Sequence, residues 1–173
     1  MATSANLRST LEDMQAYVEK ALEEQQRGES LPFVIIDQAS NLLVGSTRYM
    51  DISPRNRRLE IGCTWLAAPY QRTATNTDTK LLLLTHAFEE LHVIRVVFKT
   101  DLLNERSRAA ILRLGAVEEG IFRQHLIADS GRRRDMIYFA ILEHEWPAVK
   151  SRLRERLGRG RAADLDVYSS QTP

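Results

Sequence analysis

A single cysteine, Cys63, leaves no internal disulfide available, so nothing in the sequence demands an oxidising compartment. Long apolar runs are also missing: stretches such as Leu81 to Leu84 fall far short of the roughly 20 residues that a membrane-spanning helix needs. Neither sign of charge is in excess. The 24 Lys+Arg against 23 Asp+Glu give a formal net charge of +1, which argues against a general nucleic-acid binder. The opening Met1-Ala2-Thr3-Ser4-Ala5-Asn6 has no apolar core and does not read as a secretory signal. His86, His92, His125 and His144 lie far apart without ligand spacing, so no metal is expected. What is present is a chain of 173 residues, 43% hydrophobic, enough to fill the core of one domain. These features point to a soluble, cytoplasmic, single-domain protein with no membrane or direct nucleic-acid partner.

Residues 1–10 read as a loose start, with Ser9-x-x-Glu12 and Thr10-x-x-Asp13 as alternative capping boxes. Leu11, Met14, Val18, Leu22 and Gln25 share one helical stripe, which predicts an amphipathic helix over 11–27 stopped by Gly28. The period then changes. Residues 31–36, 42–50 and 58–67 predict three strands in an antiparallel meander, with Leu59, Ile61, Cys63 and Trp65 on the apolar face of the third. Thr75 or Asn76 caps a helix to about Leu91, followed by a strand over 93–99 parallel to the third. A helix over 104–114 ends at Gly115, residues 117–128 and 132–142 form a hairpin, and a last helix covers 143–157. Trp146 packs that helix down, and residues 158–173 read as a flexible tail. The order is a mixed α+β domain over 11–157.

Between the strand ending at Ala67 and the helix starting near Asn76, loop amides and free helix N–H groups converge on one point, a site for a phosphate beside Arg72. A plain strand-to-helix connection is the bland alternative. After the parallel strand, Asn104 and Ser107 lie three apart on one face of a helical first turn, where Asn104 alternatively serves only as the N-cap. Arg132-Arg-Arg134 opens a strand and is read as solvated or paired with Glu118 and Glu119.

Three motifs in this order, Ile61-Gly-Cys-Thr-Trp-Leu66, Gln71-Arg-Thr-Ala-Thr-Asn76 and Asn104-x-x-Ser107 with Gly115-Ala116, resemble the GCN5-related N-acetyltransferases (GNAT), in the branch of ribosomal-protein N-terminal alanine acetyltransferases. The resemblance covers about residues 11–157. It implies a GNAT-like mixed sheet, with an antiparallel meander, a central splayed parallel pair, a C-terminal hairpin and helices on both faces. It implies acetyl-coenzyme A as co-substrate and a primary amine as acceptor, either a protein N-terminus or a small amine, attacking the thioester directly. Gln71, Arg72, Thr73, Ala74, Thr75 and Asn76 map onto the family's pyrophosphate loop, whose two glycine positions are here Ala74 and Asn76. Ala74 holds that loop without strain only if its φ stays negative. Backbone groups of Trp65 and Leu66 would pair with the pantetheine arm, Asn104 would contact it, and Ser107 stands in for the family's proton-donating tyrosine, whose position is Ile111.

A base is needed, because only a neutral amine is nucleophilic. Glu60 in the Glu-Ile-Gly pattern is the candidate, and the alternative is a surface carboxylate paired with Arg58 or Arg95. An α-amine with a reference pKa of about 7.7–8.0 needs less help than lysine at about 10.4. By the resemblance, a first strand and first helix are missing ahead of residue 11. The edge this leaves open invites a second chain, so a homodimer is expected. The rival reading from another class is a non-catalytic module of the same fold that binds coenzyme A or a protein partner.

Overall fold

The computed structural model describes residues 10–128 and 130–169. Thr10 and Asp13 realise the second of the two capping boxes, with the Asp13 N–H donating to the Thr10 hydroxyl at 3.1 Å and the Thr10 N–H to the Asp13 carboxylate at 3.2 Å. Helix α1 (Leu11–Gln26) follows. It does not seat on the expected stripe. Leu11, Val18 and Leu22 are exposed, while Ala21 is buried. The Tyr17 hydroxyl lies 3.3 Å from Ser46 Oγ, and Glu24 pairs with Arg48, whose guanidinium sits 4.7 Å from the Tyr17 ring centroid. Arg48 is only 4% exposed, and a buried cation needs an anion and a ring above it. That need sets the rotation of α1 against its apolar periodicity.

Strands β1 (Ser30–Asp37), β2 (Leu42–Ser53) and β3 (Arg58–Leu66) form the expected antiparallel meander. Helix α2 (Thr75–Thr85) continues into a π-helical turn at His86–Glu90 and leads to β4 (Arg95–Asp101), parallel to β3. β4 begins later than its β-branched residues suggest, because the Val93 N–H is bound to Ala87 O at 3.1 Å and closes the preceding turn. Helix α3 (Glu105–Leu114) stops at Gly115, whose φ of 97° favours glycine. Strands β5 (Val117–Ile127) and β6 (Arg133–Leu142) pair antiparallel, and the six strands run in the order β1-β2-β3-β4-β6-β5. Helix α4 (Trp146–Ser169) extends past Leu157, where Gly158 suggested a stop. Gly158 and Gly160 weaken a helix without breaking it, and Ala162, Ala163 and Leu165 favour one. The remainder of the expected tail and residues 1–9 lie outside the described residues.

One face of the sheet carries the core. Leu59, Ile61, Val96, Phe98, Ile137 and Phe139 pack under Leu84, Ala87 and Phe88, Ile111 and Leu114 of α3, and Val149 and Leu153 of α4. Trp146 anchors α4 by stacking on Phe88 at 5.3 Å and donating its indole N–H to Glu89 at 2.7 Å. α1 covers the opposite face, so helices lie on both sides of a mixed α+β sheet, as expected for a GNAT-like fold.

Two irregularities shape the centre. The parallel pairing of β3 with β4 consists of Arg58–Arg95, Leu59–Val96 and Glu60–Val97, after which the strands diverge. Just beyond, Ser46 pairs with Trp65 and Arg48 with Gly62, so Thr47 faces both Cys63 and Thr64 across a β-bulge. Cys63 takes a φ of 49° and is exposed, its sulfur 3.6 Å from Met50 Sδ, rather than lying on the apolar face where period-two alternation put it. Across the hairpin, Arg132 and Arg134 pair with Asp101 and not with Glu118 or Glu119. Arg134 and Arg133 stand opposite Leu126 and Ile127 at the turn end of the hairpin, whereas Glu118 stands opposite Phe139 toward its other end, and Glu119 takes Arg95 instead.

Candidate functional site

The divergence of β3 from β4 leaves residues 61–66 of β3 without a partner strand on that side among the described residues. Trp65 and Leu66 lie half-buried along this open edge. The Leu66 carbonyl is already taken: Gln71 Nε2 donates to it at 2.7 Å, and Gln71 Oε1 accepts from Arg106 of α3 at 2.7 Å. Gln71 thereby ties the end of β3 to α3 across the mouth of the splay.

The loop after Gln71 turns through Arg72, which takes the left-handed conformation at φ 65°. Ala74 keeps φ at −64°, so losing glycine there costs no strain. Neither Thr75 nor Asn76 caps α2. Ala74 is the N-cap and offers no side-chain bond, while Thr73 Oγ1 accepts from the Thr75 N–H at 3.2 Å. Asn76 falls inside the first turn instead. The N–H groups of Arg72, Thr73 and Ala74 have no hydrogen-bond partner among the described residues. With the dipole of α2 behind them they form a cradle for an anion, and the donors present fit a pyrophosphate.

On the far side of the splay, Asn104 caps α3, its Oδ1 accepting from the Ser107 N–H at 3.0 Å. The bland reading of Asn104 is therefore realised, and it leaves the side-chain amide N–H groups for a ligand. The Ser107 hydroxyl has no partner among the described residues and is half-buried on the same turn. Ile111 is 8% exposed within the core and carries no proton to donate.

Glu60 stands where the strands part. It is 2% exposed and faces a cavity of about 420 Å³ on the sheet face opposite the core, lined among others by Asp51, Arg58, Arg95, Phe122 and Tyr138. Neither Arg58 nor Arg95 pairs with it. Its partner is Lys99 of β4, at 2.7 Å, which also lies 3.6 Å from Asp51. Arg95 is engaged by Glu119. Burial raises the Glu60 pKa above the usual carboxylate value, and the Lys99 ammonium opposes that rise. Phe122, His125 and Tyr138 form an aromatic wall, with the Tyr138 hydroxyl 2.9 Å from His125 Nε2 and the Phe122 and Tyr138 rings 4.6 Å apart.

The structure thus brings two groups of expected residues together, one at the loop and one at the fork. It adds Asp51, Lys99, Arg106 and Tyr138, none of which a local signal marks. Asp51 enters the cavity through a bulge with φ 46°. Among the described residues no cluster of metal-ligating side chains exists, and no helix is long and apolar enough to cross a membrane.

Comparison with known proteins matches residues 2–117 to the acetyltransferase (GNAT) domain. The chain is 35% identical over 108 residues to YdaF of Bacillus subtilis (strain 168), provisionally named a ribosomal N-acetyltransferase, over 62% of this chain and 58% of that relative. The chain therefore spans less than two thirds of that relative's length. A GCN5-related N-acetyltransferase from Brucella melitensis superposes with a TM-score of 0.79 at 32% identity, covering 85% of this chain and 65% of that one. Mycobacterium smegmatis RimJ, solved in complex with CoA-disulfide, superposes with a TM-score of 0.73 at 25% identity, covering 90% and 74%.

Proposed function

The chain belongs to the GNAT acetyltransferase family, and on that footing we propose that it transfers an acetyl group from acetyl-coenzyme A to a primary amine, with a protein N-terminus as the first acceptor to try. The observation that carries this reading is the splay itself: an unpaired β3 edge bounded by the open amides of Arg72, Thr73 and Ala74 at one end and by Glu60 at the other. The CoA-disulfide bound in RimJ and the ribosomal naming of YdaF support donor and acceptor class respectively.

Acetyl-coenzyme A supplies the acyl group as a thioester. The open amides of Arg72, Thr73 and Ala74 hold its pyrophosphate, with Asn104 and the β3 edge at Trp65 and Leu66 aligning the pantetheine arm. A backbone N–H of that edge meets the negative charge developing on the thioester oxygen. Glu60 receives the proton that the amine loses as its nitrogen bonds to the carbonyl carbon. Its raised pKa brings it nearer to an α-ammonium at about 8. As the carbon–sulfur bond breaks, Ser107 gives its hydroxyl proton to the departing thiolate and recovers one from solvent. The cavity beside Glu60, with its carboxylates and aromatic wall, suits an incoming ammonium.

Ile111, buried where the family's acid stands, favours the second reading, a module that binds coenzyme A or a protein partner without turnover. Calorimetric titration of the chain with acetyl-CoA, followed by thiol release with N-terminal peptides, separates the two. We expect micromolar binding and amine-dependent release. Binding without release for any amine would establish the module instead, and no binding would remove both coenzyme readings.

A further inference from the structure

Lys80 is buried at the middle of α2, 5% exposed, and forms no ion pair among the described residues. A charged lysine in such a place loses its hydration without compensation. Its amine instead meets two hydroxyls, donating to Thr64 Oγ1 at 2.6 Å and to Thr47 Oγ1 at 3.3 Å. Burial lowers its pKa to about 7, so the neutral amine, with two N–H donors for two hydroxyl acceptors, is accessible near neutrality. The groups facing it are Thr47 on β2 and Thr64 on β3, with Cys63 of β3 the nearby titratable side chain.

These two threonines sit at the bulge. Thr47 is the single residue opposite Cys63 and Thr64, its hydroxyl is 2.8 Å from Thr64 Oγ1, and it lies 3.3 Å from the Gly62 carbonyl to which it donates. A cysteine with a φ of 49° is strained and persists only where its surroundings enforce it. The bulge also lies just past Glu60–Val97, the last rung joining β3 to β4, with Ile61 and Gly62 between them. A bulge bends the strand that carries it.

We propose that Lys80 is a positioning residue: it pins the Cys63–Thr64 bulge to α2 and so sets the gap between β3 and β4 that admits the coenzyme arm. The same helix carries the anion cradle at its N-terminus, so one rigid element aligns both ends of the site. A lysine suits the task because its stem spans from helix to strand and its tip can donate to both threonines.

This proposal rests on the acetyl-CoA reading, and one set of titrations tests each separately. Lys80→Met keeps the length and removes the donors, while Thr64→Val removes an acceptor at an exposed position and spares the core. Each should weaken acetyl-CoA affinity by about tenfold, the scale of one hydrogen bond, with the acceptor KM unchanged within twofold. In the double variant the two losses should not multiply, because both break one link. If Lys80→Met fails to fold, Thr64→Val still decides. Wild-type affinity in Thr64→Val, or losses that multiply, would overturn this proposal while leaving the coenzyme reading intact. Absence of binding in the wild-type chain would overturn that reading and this proposal with it.

Discussion

A carboxyl group only 2% exposed is pushed toward its neutral form by the loss of water, and at Glu60 the Lys99 ammonium at 2.7 Å pulls it back. Burial dominates, so its pKa lies above 4.5 in the folded chain. As a base Glu60 works only when ionised, so activity should fall as pH drops through that raised value. Glu60→Gln should lower kcat/KM by about a hundredfold or more and abolish the acid limb of the pH profile. Lys99→Met removes the opposing charge, so the limb should move to higher pH. Initial rates across pH 5–9 for the three proteins check both statements. If Glu60 only balances Lys99 structurally, the substitutions will alter stability and leave the profile of the remaining activity where it was.

At the scale of elements, Asp101 joins three of them. Its side chain at the end of β4 pairs with Arg134 of β6 at 2.7 Å and with Arg132 beside it, and accepts from the Leu103 N–H at 3.0 Å at the approach to α3. Burial disfavours its charge, yet Arg132, the Leu103 amide and Arg134 outweigh that and hold its pKa down to about 2, from 3.8. The unfolded chain takes up this proton at higher pH than the folded one. The stability Asp101 contributes is therefore complete above about pH 4 and lost as pH falls to about 2. Asp101→Asn should cost about 2 kcal/mol in urea denaturation at pH 7 and flatten the loss between pH 4 and pH 2. The elements themselves were largely legible in the sequence. The Thr10–Asp13 box, the meander and the Gly115 stop all follow from local chemistry, and the motif residues from Trp65 to Ser107 fall around the splay. What stayed hidden came from bulges and from long-range polar demand. Left-handed backbone at Asp51 and Cys63 moves side chains to faces that period-two alternation cannot foresee, and the partners Lys99, Lys80 and Arg106 are met only once strands and helices are assembled. The rotation of α1 is the same case, decided by Arg48.

That rotation has a consequence for the whole molecule. With Tyr17, Ala21 and Glu24 turned to the sheet, Leu11, Val18 and Leu22 face outward. Val34 pairs with Ser46 on the sheet face that α1 covers, and Val34 and Ile36 remain 61% and 52% exposed. β1 pairs only with β2, so its other edge is unpaired among the described strands. Pro32 protects one end of that edge by removing a donor, whereas the stretch after it is apolar and regular enough to pair. An apolar band beside an open strand edge favours association with a second copy. The other outer strand, β5, is interrupted by bulges that twist its edge away and is the poorer template. We therefore expect light scattering of the chain to give a mass that rises above 19.8 kDa across micromolar concentrations. Val34→Lys should hold the mass at the monomer value without lowering the melting temperature, since the side chain already projects into solvent. A monodisperse monomer over the whole range would show that the band does not drive association, and a Val34→Lys variant that associates as before would place the contact away from β1.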